Sequence, residues 1–177
     1  IHTRLEGLFS YKKTNTALRV AVDNIKNYTY FAQSYSIDNQ YNRLNVDVTT
    51  NQYQSPISLL TLELIQKIKF GIFRWENTIT YQKSSNNDIL GVPDLNIYSN
   101  LYMKFKIAKV LSCDLGADVR YFTEYYAPDY SPALGSYTVQ DGTDKVKIGN
   151  YPFVNVYANF LLKHTRFFVM YSHVNAG

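Results

Sequence analysis

Acidic side chains that could transfer protons are concentrated in one short stretch of the chain. Asp114, Asp118 and Glu124 alternate with Arg120, so they share one face of a predicted strand. Two carboxylates near an open rim could act as general acid and general base. Lysines of the preceding strand should face these carboxylates across a hairpin. Cross-strand charge pairing therefore explains the acidic residues better than catalysis does.

Other groups that could do chemistry are sparse. The three histidines are His2, His164 and His173, and the sequence contains no serine-centred nucleophile elbow, phosphate loop or HExxH stretch. Asp141-Gly-Thr-Asp144 brings oxygen ligands together but lacks the full spacing and the terminal glutamate of a calcium loop, which favours a solvated turn. We predict that the protein is not an enzyme and that it has no catalytic, metal-binding or cofactor-binding residue and no cofactor.

The charged residues lie on segments with a period of two. Between residues 96 and 124 apolar side chains alternate with polar ones along two arms of about 9–11 residues, the length that a tilted strand needs to cross a bilayer. One face of this hairpin is apolar and the other is polar. The apolar face carries Ile97, Leu101, Met103, Phe105, Ile107, Cys113, Leu115, Ala117, Val119 and Tyr121, and the polar face carries Tyr98, Asn100, Tyr102, Lys104, Lys106, Asp114, Gly116, Asp118, Arg120 and Glu124.

The same period predicts eight strands in all. Short turns alternate with long connections, which is typical of the periplasmic turns and external loops of outer-membrane barrels. The strands are expected at residues 3–11, 16–31, 57–68, 74–83, the two arms of the 96–124 hairpin, 153–162 and 166–174. The short turns are expected at residues 12–15, 69–73, 108–111 and 163–165, and the long connections at residues 32–56, 84–94 and 127–152.

Three stretches fit this pattern less well. A phase slip at Ile65 and Gln66 predicts a β-bulge in the third strand. The last strand has apolar residues on both faces, from Phe167 to Met170, so its facing stays open. Residues 42–52 are a candidate for a further short strand inside a long connection.

Composition narrows the function classes. The net charge of +4 comes from lysines and arginines that are spread along 177 residues without a basic run, which disfavours nucleic-acid binding. The single cysteine, Cys113, cannot form an internal disulfide and is expected to act as a small apolar residue. The longest apolar run, from Ile57 to Ile65, is interrupted by Glu63 and is too short for a membrane helix.

The strand map assigns three groups of candidate functional residues. Charged side chains on the polar face are expected to line a lumen, and aromatic side chains near strand ends on the apolar face are expected to form an interfacial girdle rather than a sugar-stacking platform. Tyrosines that open the third long connection are candidates for ligand contact or pore constriction, against simple loop packing. The lumen group is Arg74, Glu76, Lys104, Lys106, Asp114, Asp118, Arg120 and Glu124; the girdle is Tyr11, Trp75, Tyr81 and Tyr121; the loop group is Tyr125, Tyr126 and Tyr130.

Four segments carry a family resemblance. They are VDNIKNYTYF at 22–31, FRWENTITYQ at 73–82, DVRYFTEYYAP at 118–128 and LKHTRFFVMYSHVN at 162–175. Together they resemble the C-terminal part of the barrel of the putative porin family of Bacteroidetes outer membranes. The resemblance implies a barrel larger than eight strands, so we expect residues 1–177 to be one domain that is a fragment of a longer chain.

These observations predict an all-β fold, an antiparallel transmembrane β-barrel in the bacterial outer membrane. The expected function is a porin-like channel for passive diffusion of small hydrophilic solutes, with outer-membrane lipid as its surroundings and with no nucleic-acid partner. Two alternatives stay open: a structural or accessory barrel in a complex with other outer-membrane proteins, and a soluble all-β glycan-binding module. Counted from the predicted faces, six positive and seven negative lumen groups predict at most a weak preference for cations.

Overall fold

The computed structural model describes residues 1–40 and 42–176, which form strands and one short 3-10 helix at Lys12–Thr14. The strands are β1 His2–Tyr11, β2 Thr16–Ile25, β3 Tyr28–Ile37, β4 Arg43–Tyr53, β5 Ile57–Phe70, β6 Phe73–Ser84, β7 Leu95–Ile107, β8 Leu111–Phe122, β9 Asp129–Ser131, β10 Ser136–Gln140, β11 Phe153–Leu162 and β12 Thr165–Tyr171. Within the described ranges no helix is long and apolar enough to span a membrane.

Eight of these strands form one antiparallel sheet, in the order β1-β2-β5-β6-β7-β8-β11-β12. The all-β, antiparallel prediction is confirmed, and β11 has the predicted bounds of residues 153–162. Among the described residues β1 and β12 each pair on one side only, so the sheet is not closed into a barrel.

The second predicted strand, residues 16–31, is wrong in extent. Asn27 adopts a left-handed backbone conformation with φ of 53°, which breaks the strand between β2 and β3. A left-handed residue cannot continue a β ladder, and asparagine tolerates this conformation better than most residues do. The segment after Asn27 therefore leaves the large sheet.

A second sheet, of four strands in the order β4-β3-β10-β9, occupies two of the predicted long connections. The further strand expected at residues 42–52 is confirmed as β4. The strands β9 and β10 lie in the connection at residues 127–152, where the sequence predicted no strand, and β10 pairs in parallel with β3 through Val139 opposite Ala32 and Gln140 opposite Gln33. Such long-range pairing leaves no local pattern in the sequence. We call this four-stranded unit the loop sheet.

The tip of the β3–β4 hairpin is fixed by one carboxylate. Asp38 Oδ1 accepts hydrogen bonds from the backbone N–H groups of Gln40 and Asn42, at 2.8 Å each, and Oδ2 accepts one from Asn42 Nδ2 at 3.0 Å. These bonds, with the side-chain bond from Asn42 first, lower the pKa of Asp38 below its ordinary value. At a pH above the ordinary pKa of Asp38, the ionised carboxylate therefore stabilises the folded hairpin tip. This stabilisation is lost as the pH falls through the lowered pKa.

The register of the large sheet is unbroken along β5 on both of its sides. The bulge predicted at Ile65 and Gln66 is therefore wrong, and Gln66 stays on the apolar face. The register also settles the facing of β12: Met170 lies opposite Tyr157 on the polar face, whereas Val169 lies opposite Ala158 on the apolar face.

Successive short turns are displaced along the ladder. β2 begins opposite Gln66, four residues before the end of β5, and β6 begins opposite Met103, four residues before the end of β7. β8 begins opposite the last residue of β11. The usual rise per residue and spacing between strands convert this stagger into an angle. The strands are tilted by about 40° from the perpendicular to the row of short turns, which is within the range found in β-barrels.

Apolar side chains are exposed to an unusual degree. The chain presents 12169 Å² of accessible surface, whereas a folded monomer of 20.5 kDa presents about 8,800 Å². Phe70 is 78% exposed and Leu101 is 52% exposed, although both lie on regular strands. The buried apolar residues are few: Ala21, Ala32, Ile57 and Cys113. The apolar face of the sheet is therefore not covered by the rest of the described chain.

The turn between β7 and β8 uses residues that are costly at its positions. Ala108 and Lys109 both have positive φ, 49° and 59°, and Val110 N–H donates to Ile107 carbonyl at 3.1 Å, which defines a type I′ turn. Neither residue is the asparagine or glycine that such turns favour. The regular ladder on both sides imposes the conformation.

Replacing Lys109 with glycine should therefore stabilise the protein by about 1 kcal/mol, because glycine adopts positive φ without the steric cost that Cβ brings. Urea unfolding of the protein in detergent micelles measures the change. Lys109→Ala is the matched control, since it removes the charge and keeps the strain; an equal gain in both variants would show that the charge, not the backbone, is responsible.

Candidate functional site: a candidate pore-facing surface

The polar face of the large sheet is defined by rows of residues that lie opposite one another on neighbouring strands. One row joins Glu76, Asn100, Asp118 and Asn155 across β6, β7, β8 and β11. Period-2 alternation then assigns every strand position to one face. Of the predicted lumen group, the polar face carries Arg74, Glu76, Lys104, Lys106, Asp114, Asp118 and Arg120.

Glu124 lies elsewhere, two residues past the end of β8. Its backbone N–H donates to Asn150 Oδ1 at 3.1 Å, and its carboxylate lies 3.1 Å from Lys147 Nζ. The hydrogen bond to Glu124 raises the pKa of Lys147 above its ordinary value. Glu124 thus ties the start of the long connection after β8 to its end, above the sheet rather than on it.

Several charges on the polar face are paired across strands. Arg19 Nη2 lies 3.0 Å from Glu63 Oε2, and Lys104 Nζ lies 3.7 Å from Asp114 Oδ2. Asp118 accepts a hydrogen bond of 3.0 Å from Asn155 Nδ2. The pairing expected between the lysines of β7 and the carboxylates of β8 is confirmed for Lys104; Lys106 instead lies opposite Ser112.

A tyrosine pair on this face depends on one glycine. Gly116 lies between Tyr102 and Tyr157 in a cross-strand row. A Cβ atom on Gly116 would lie 2.5 Å from Tyr102 Cβ and 2.8 Å from the Tyr157 hydroxyl. That hydroxyl donates to Asn100 at 2.8 Å, and the Tyr102 hydroxyl donates to Glu76 at 3.2 Å. The missing side chain lets the two rings lie across the ladder and join polar groups on three strands.

The register adds three positive charges to the predicted lumen group. Lys67 lies opposite Glu76, Lys69 lies opposite Arg74, and Arg166 lies opposite Leu161, which places all three on the polar face. With Glu124 set apart, the polar face holds nine positive and six negative groups, a net charge of +3. The sequence-based expectation of a slight negative excess is therefore wrong. It failed for three reasons: the false phase slip at Ile65 hid two lysines, the facing of Arg166 was open, and Glu124 was counted on the face although it lies past the end of β8.

These charges are separated along the strands. Positions are counted along each strand from its end at the short turn. We define the basic belt as the positive groups at positions two and four, where only Glu76 and Asp114 are acidic. We define the acidic belt as the carboxylates at positions six to eight, where only Arg4 is basic. The basic belt consists of Arg19, Lys67, Lys69, Arg74, Lys104, Lys106 and Arg166, and the acidic belt consists of Glu6, Asp23, Glu63 and Asp118.

The four girdle residues lie on the apolar face near both ends of the strands. Tyr11 and Trp75 lie one and three positions from the short turns, whereas Tyr81 and Tyr121 lie near the long connections. Trp75 is 46% exposed and Tyr81 is 41% exposed. This two-ended distribution fits an interfacial girdle, whose role stays a prediction.

The loop tyrosines are held by local packing. Tyr125 pairs with Ile148 in an isolated bridge, and the Tyr126 ring has Lys147 Nζ at 5.3 Å from its centroid. Tyr130, on β9, packs edge-on against Tyr137 on β10 at 5.5 Å. A role in ligand contact stays a prediction. Across the described residues no group of three or more His, Cys, Asp or Glu side chains is arranged to hold a metal ion.

These features define an all-β protein whose main sheet separates a charged, hydrogen-bonded face from an exposed apolar face. The chain belongs to the family described as Putative porin, whose model matches residues 1–177. Membership supports a porin-like role in the outer membrane and is consistent with a β-barrel. No curated protein and no solved structure matches the chain.

Replacing Gly116 with alanine should destabilise the protein by about 1–3 kcal/mol, because the added methyl group overlaps Tyr102 and leaves no room for the Tyr157 hydroxyl. Urea unfolding in detergent micelles measures this loss. Gly7→Ala is the matched control, since a Cβ atom there would meet only the Phe9 ring, at 3.4 Å. Equal stability of the two variants would contradict the close row of Tyr102, Gly116 and Tyr157.

Proposed function

We propose that the chain forms part of the wall of an outer-membrane channel through which small hydrophilic solutes diffuse passively. The observation that carries this proposal is the contrast between the two faces of one sheet. One face keeps charged groups such as Arg19 and Glu63 in hydrogen-bonded pairs, and the other exposes large apolar residues such as Phe70 and Leu101. A sheet with these faces is suited to lie between lipid and water.

The geometry of the sheet supports this location. The stagger of the short turns gives the tilt that a barrel wall needs, and the strands of the large sheet have 7–14 residues, most of them enough to cross a bilayer. Short turns occur at one rim and the long connections at the other, as in bacterial outer-membrane barrels. We assign the long connections to the cell exterior of a Bacteroidetes-type outer membrane and the short turns to the periplasm.

The loop sheet is the proposed constriction. It joins residues of the β3–β4 hairpin to residues of the connection between β8 and β11 through the parallel pair of β3 and β10. An ion pair of 2.6 Å between Arg43 and Asp129 links the same two connections. Loops tied together at one rim can narrow the entrance of a lumen without closing it.

A second candidate function is a plugged barrel that serves as a structural part of a membrane complex. One observation favours it: the loop sheet buries Gln33 and Thr138, with 3.4 Å between their side-chain oxygens, so the external cap is internally packed rather than open. A packed cap could block the lumen as well as narrow it.

Conductance separates the two functions. Full-length protein purified in detergent and inserted into a planar bilayer should give stepwise current increases that scale with salt concentration, because a water-filled lumen conducts ions. Insertion without current would indicate the plugged barrel. Solubility without detergent, together with failure to insert, would contradict both and favour a soluble module. A variant lacking residues 129–140, which removes β9 and β10, should conduct more than the parent if the loop sheet narrows the entrance.

A further inference from the structure

We propose that the basic belt binds small oxyanions that carry two negative charges, such as hydrogen phosphate or sulfate. This inference rests on the proposed channel function and names the class of solute that the lumen would favour. Three features of the belt support it: cationic groups without carboxylate partners, a like-charge pair across neighbouring strands, and a recess lined by hydrogen-bond donors.

The first feature is the state of the cationic side chains. Among the described residues no carboxylate lies within 4.0 Å of the charged groups of Lys67, Lys69, Lys106 or Arg166. All four side chains are exposed. Glu76, which lies opposite Lys67, instead accepts the hydrogen bond of Tyr102. The positive charge of these four residues is thus available to a solute, whereas Arg19 and Lys104 are paired with carboxylates of the wall.

The second feature is a pair of like charges, which by itself destabilises the folded sheet. Lys69 and Arg74 are direct cross-strand partners on β5 and β6. Like charges opposite each other destabilise a sheet, whereas opposite charges there would stabilise it. Arg74 Nη1 donates to the carbonyl oxygens of Gly71 and Phe73, at 2.7 and 2.8 Å, which fixes the guanidinium beside the turn. A bound anion would convert this repulsion into attraction.

The third feature is a recess of about 410 Å³ where β7, β8, β11 and β12 approach their short turns. Its lining includes Lys104, Ser112, Asn159 and Arg166, which offer ammonium, hydroxyl, amide and guanidinium donors to an oxyanion. Asp114 also lines the recess and is the one acidic member; its charge is offset by Lys104 at 3.7 Å.

Apart from the ion pair of Arg19 and Glu63, which joins the two belts at 3.0 Å, the acidic belt does not cancel this positive potential. On average the two belts lie about five residues apart along the strands, which is roughly 12 Å when measured perpendicular to the row of short turns. That distance exceeds the Debye length of about 8 Å at physiological salt. A solute therefore meets two regions of opposite sign in succession, and the region next to the short turns is basic.

Reversal potentials of the full-length protein in a planar bilayer under a potassium chloride gradient test the belt. We expect a preference for chloride, and we expect added phosphate or sulfate to reduce the chloride current by occupying the belt. A triple variant, Lys69→Gln, Lys106→Gln and Arg166→Gln, should shift the reversal potential toward the cation side and lose the block. Lys109→Gln, which removes a charge of the same sign in the adjacent turn, is the matched control and should change neither.

The variant Asp114→Asn should change the anion block in the direction opposite to the triple variant. Removing the one carboxylate of the recess should strengthen the block by phosphate and by sulfate, because the anion no longer meets a negative group. A smaller gain for phosphate than for sulfate would show that the Asp114 carboxylate accepts a hydrogen bond from the hydroxyl group of hydrogen phosphate. No gain for either anion would place the bound anion outside the recess.

Failure of the belt and failure of the channel give different results. Conductance that favours cations and ignores both anions would overturn the belt and leave the channel standing. Absence of conductance would overturn the channel; phosphate binding to the detergent-solubilised protein, measured by calorimetry and lost in the triple variant, would still support the belt. Absence of both would overturn both.

An independent observation concerns the apolar face. Thr16, Gln66, Asn77 and Ser99 are consecutive partners in one row across β2, β5, β6 and β7, and they form a polar stripe between apolar rows. Asn77 Oδ1 accepts from Ser99 Oγ at 2.7 Å, and Ser99 Oγ accepts from Trp75 Nε1 at 2.9 Å. Within the described residues the amide of Gln66 and the Nδ2 of Asn77 have no hydrogen-bond partner.

We infer that the polar stripe is covered by a second copy of this chain. Unpaired amides are costly in lipid, and small polar groups in membranes are commonly satisfied by protein across an interface. The stripe is uncharged, and its amides both donate and accept, so it is complementary to itself about a twofold axis near Gln66 and Asn77. Exposed apolar residues on both sides, including Leu64, Ile68 and Ile79, would extend the contact.

Cross-linking tests this interface in the full-length protein carrying Cys113→Ser. Asn77→Cys should give a covalent dimer on mild oxidation in lipid vesicles, and Val156→Cys, on the same face but on β11, should not. Gln66→Leu combined with Asn77→Leu should convert the dimer to monomer in light scattering while raising resistance to urea. A wild-type protein that is monomeric in lipid, or equal cross-linking at both positions, would overturn the inference.

Discussion

Backbone amides that meet an apolar medium must be paired. The ladder pairs them between β1 and β12 through seven strand pairs without a shift in register, and among the described residues only the outer edges of these two strands lack a partner strand. Because side chains alternate strictly along such a ladder, fixing one residue fixes the facing of every other. The position of Gln66 on the apolar face and of Lys67 on the polar face are two results of the same constraint. The basic belt, the acidic belt and the polar stripe all depend on it.

Local pattern was sufficient for the elements whose two faces differ most. The β7–β8 hairpin and β11 were predicted from the sequence because each keeps a period of two between lipid-like and water-like surroundings. The loop sheet could not be predicted in the same way, because the pairing of Gln33 with Gln140 joins residues that are more than 100 positions apart. Asn27 was missed because one left-handed residue leaves the flanking pattern of apolar residues unchanged.

The sequence was sufficient to predict which residues share the polar face, but not where along the strands their charges are concentrated. Period two correctly placed Arg74, Lys104 and Asp118 on one face, yet it contains no information on how far each residue lies from the row of short turns. That distance follows from the stagger between hairpins, which only the register of paired strands shows. Lys69 and Asp23 cancel in a sum of charges, but they lie two and eight positions from the short turns and so belong to different belts. Net charge alone therefore describes this surface poorly.

The parallel pair of β3 and β10 has a consequence for motion. A long connection that is tied near its middle behaves as two shorter loops, whose closure entropy and range of movement are both smaller. Because the tie joins two connections to each other, and the Arg43–Asp129 ion pair reinforces it, neither can swing alone without breaking these contacts. We therefore expect the loop sheet to move as one body, more slowly than independent loops would. In the proposed channel, the two connections would therefore narrow or widen the entrance together rather than one at a time.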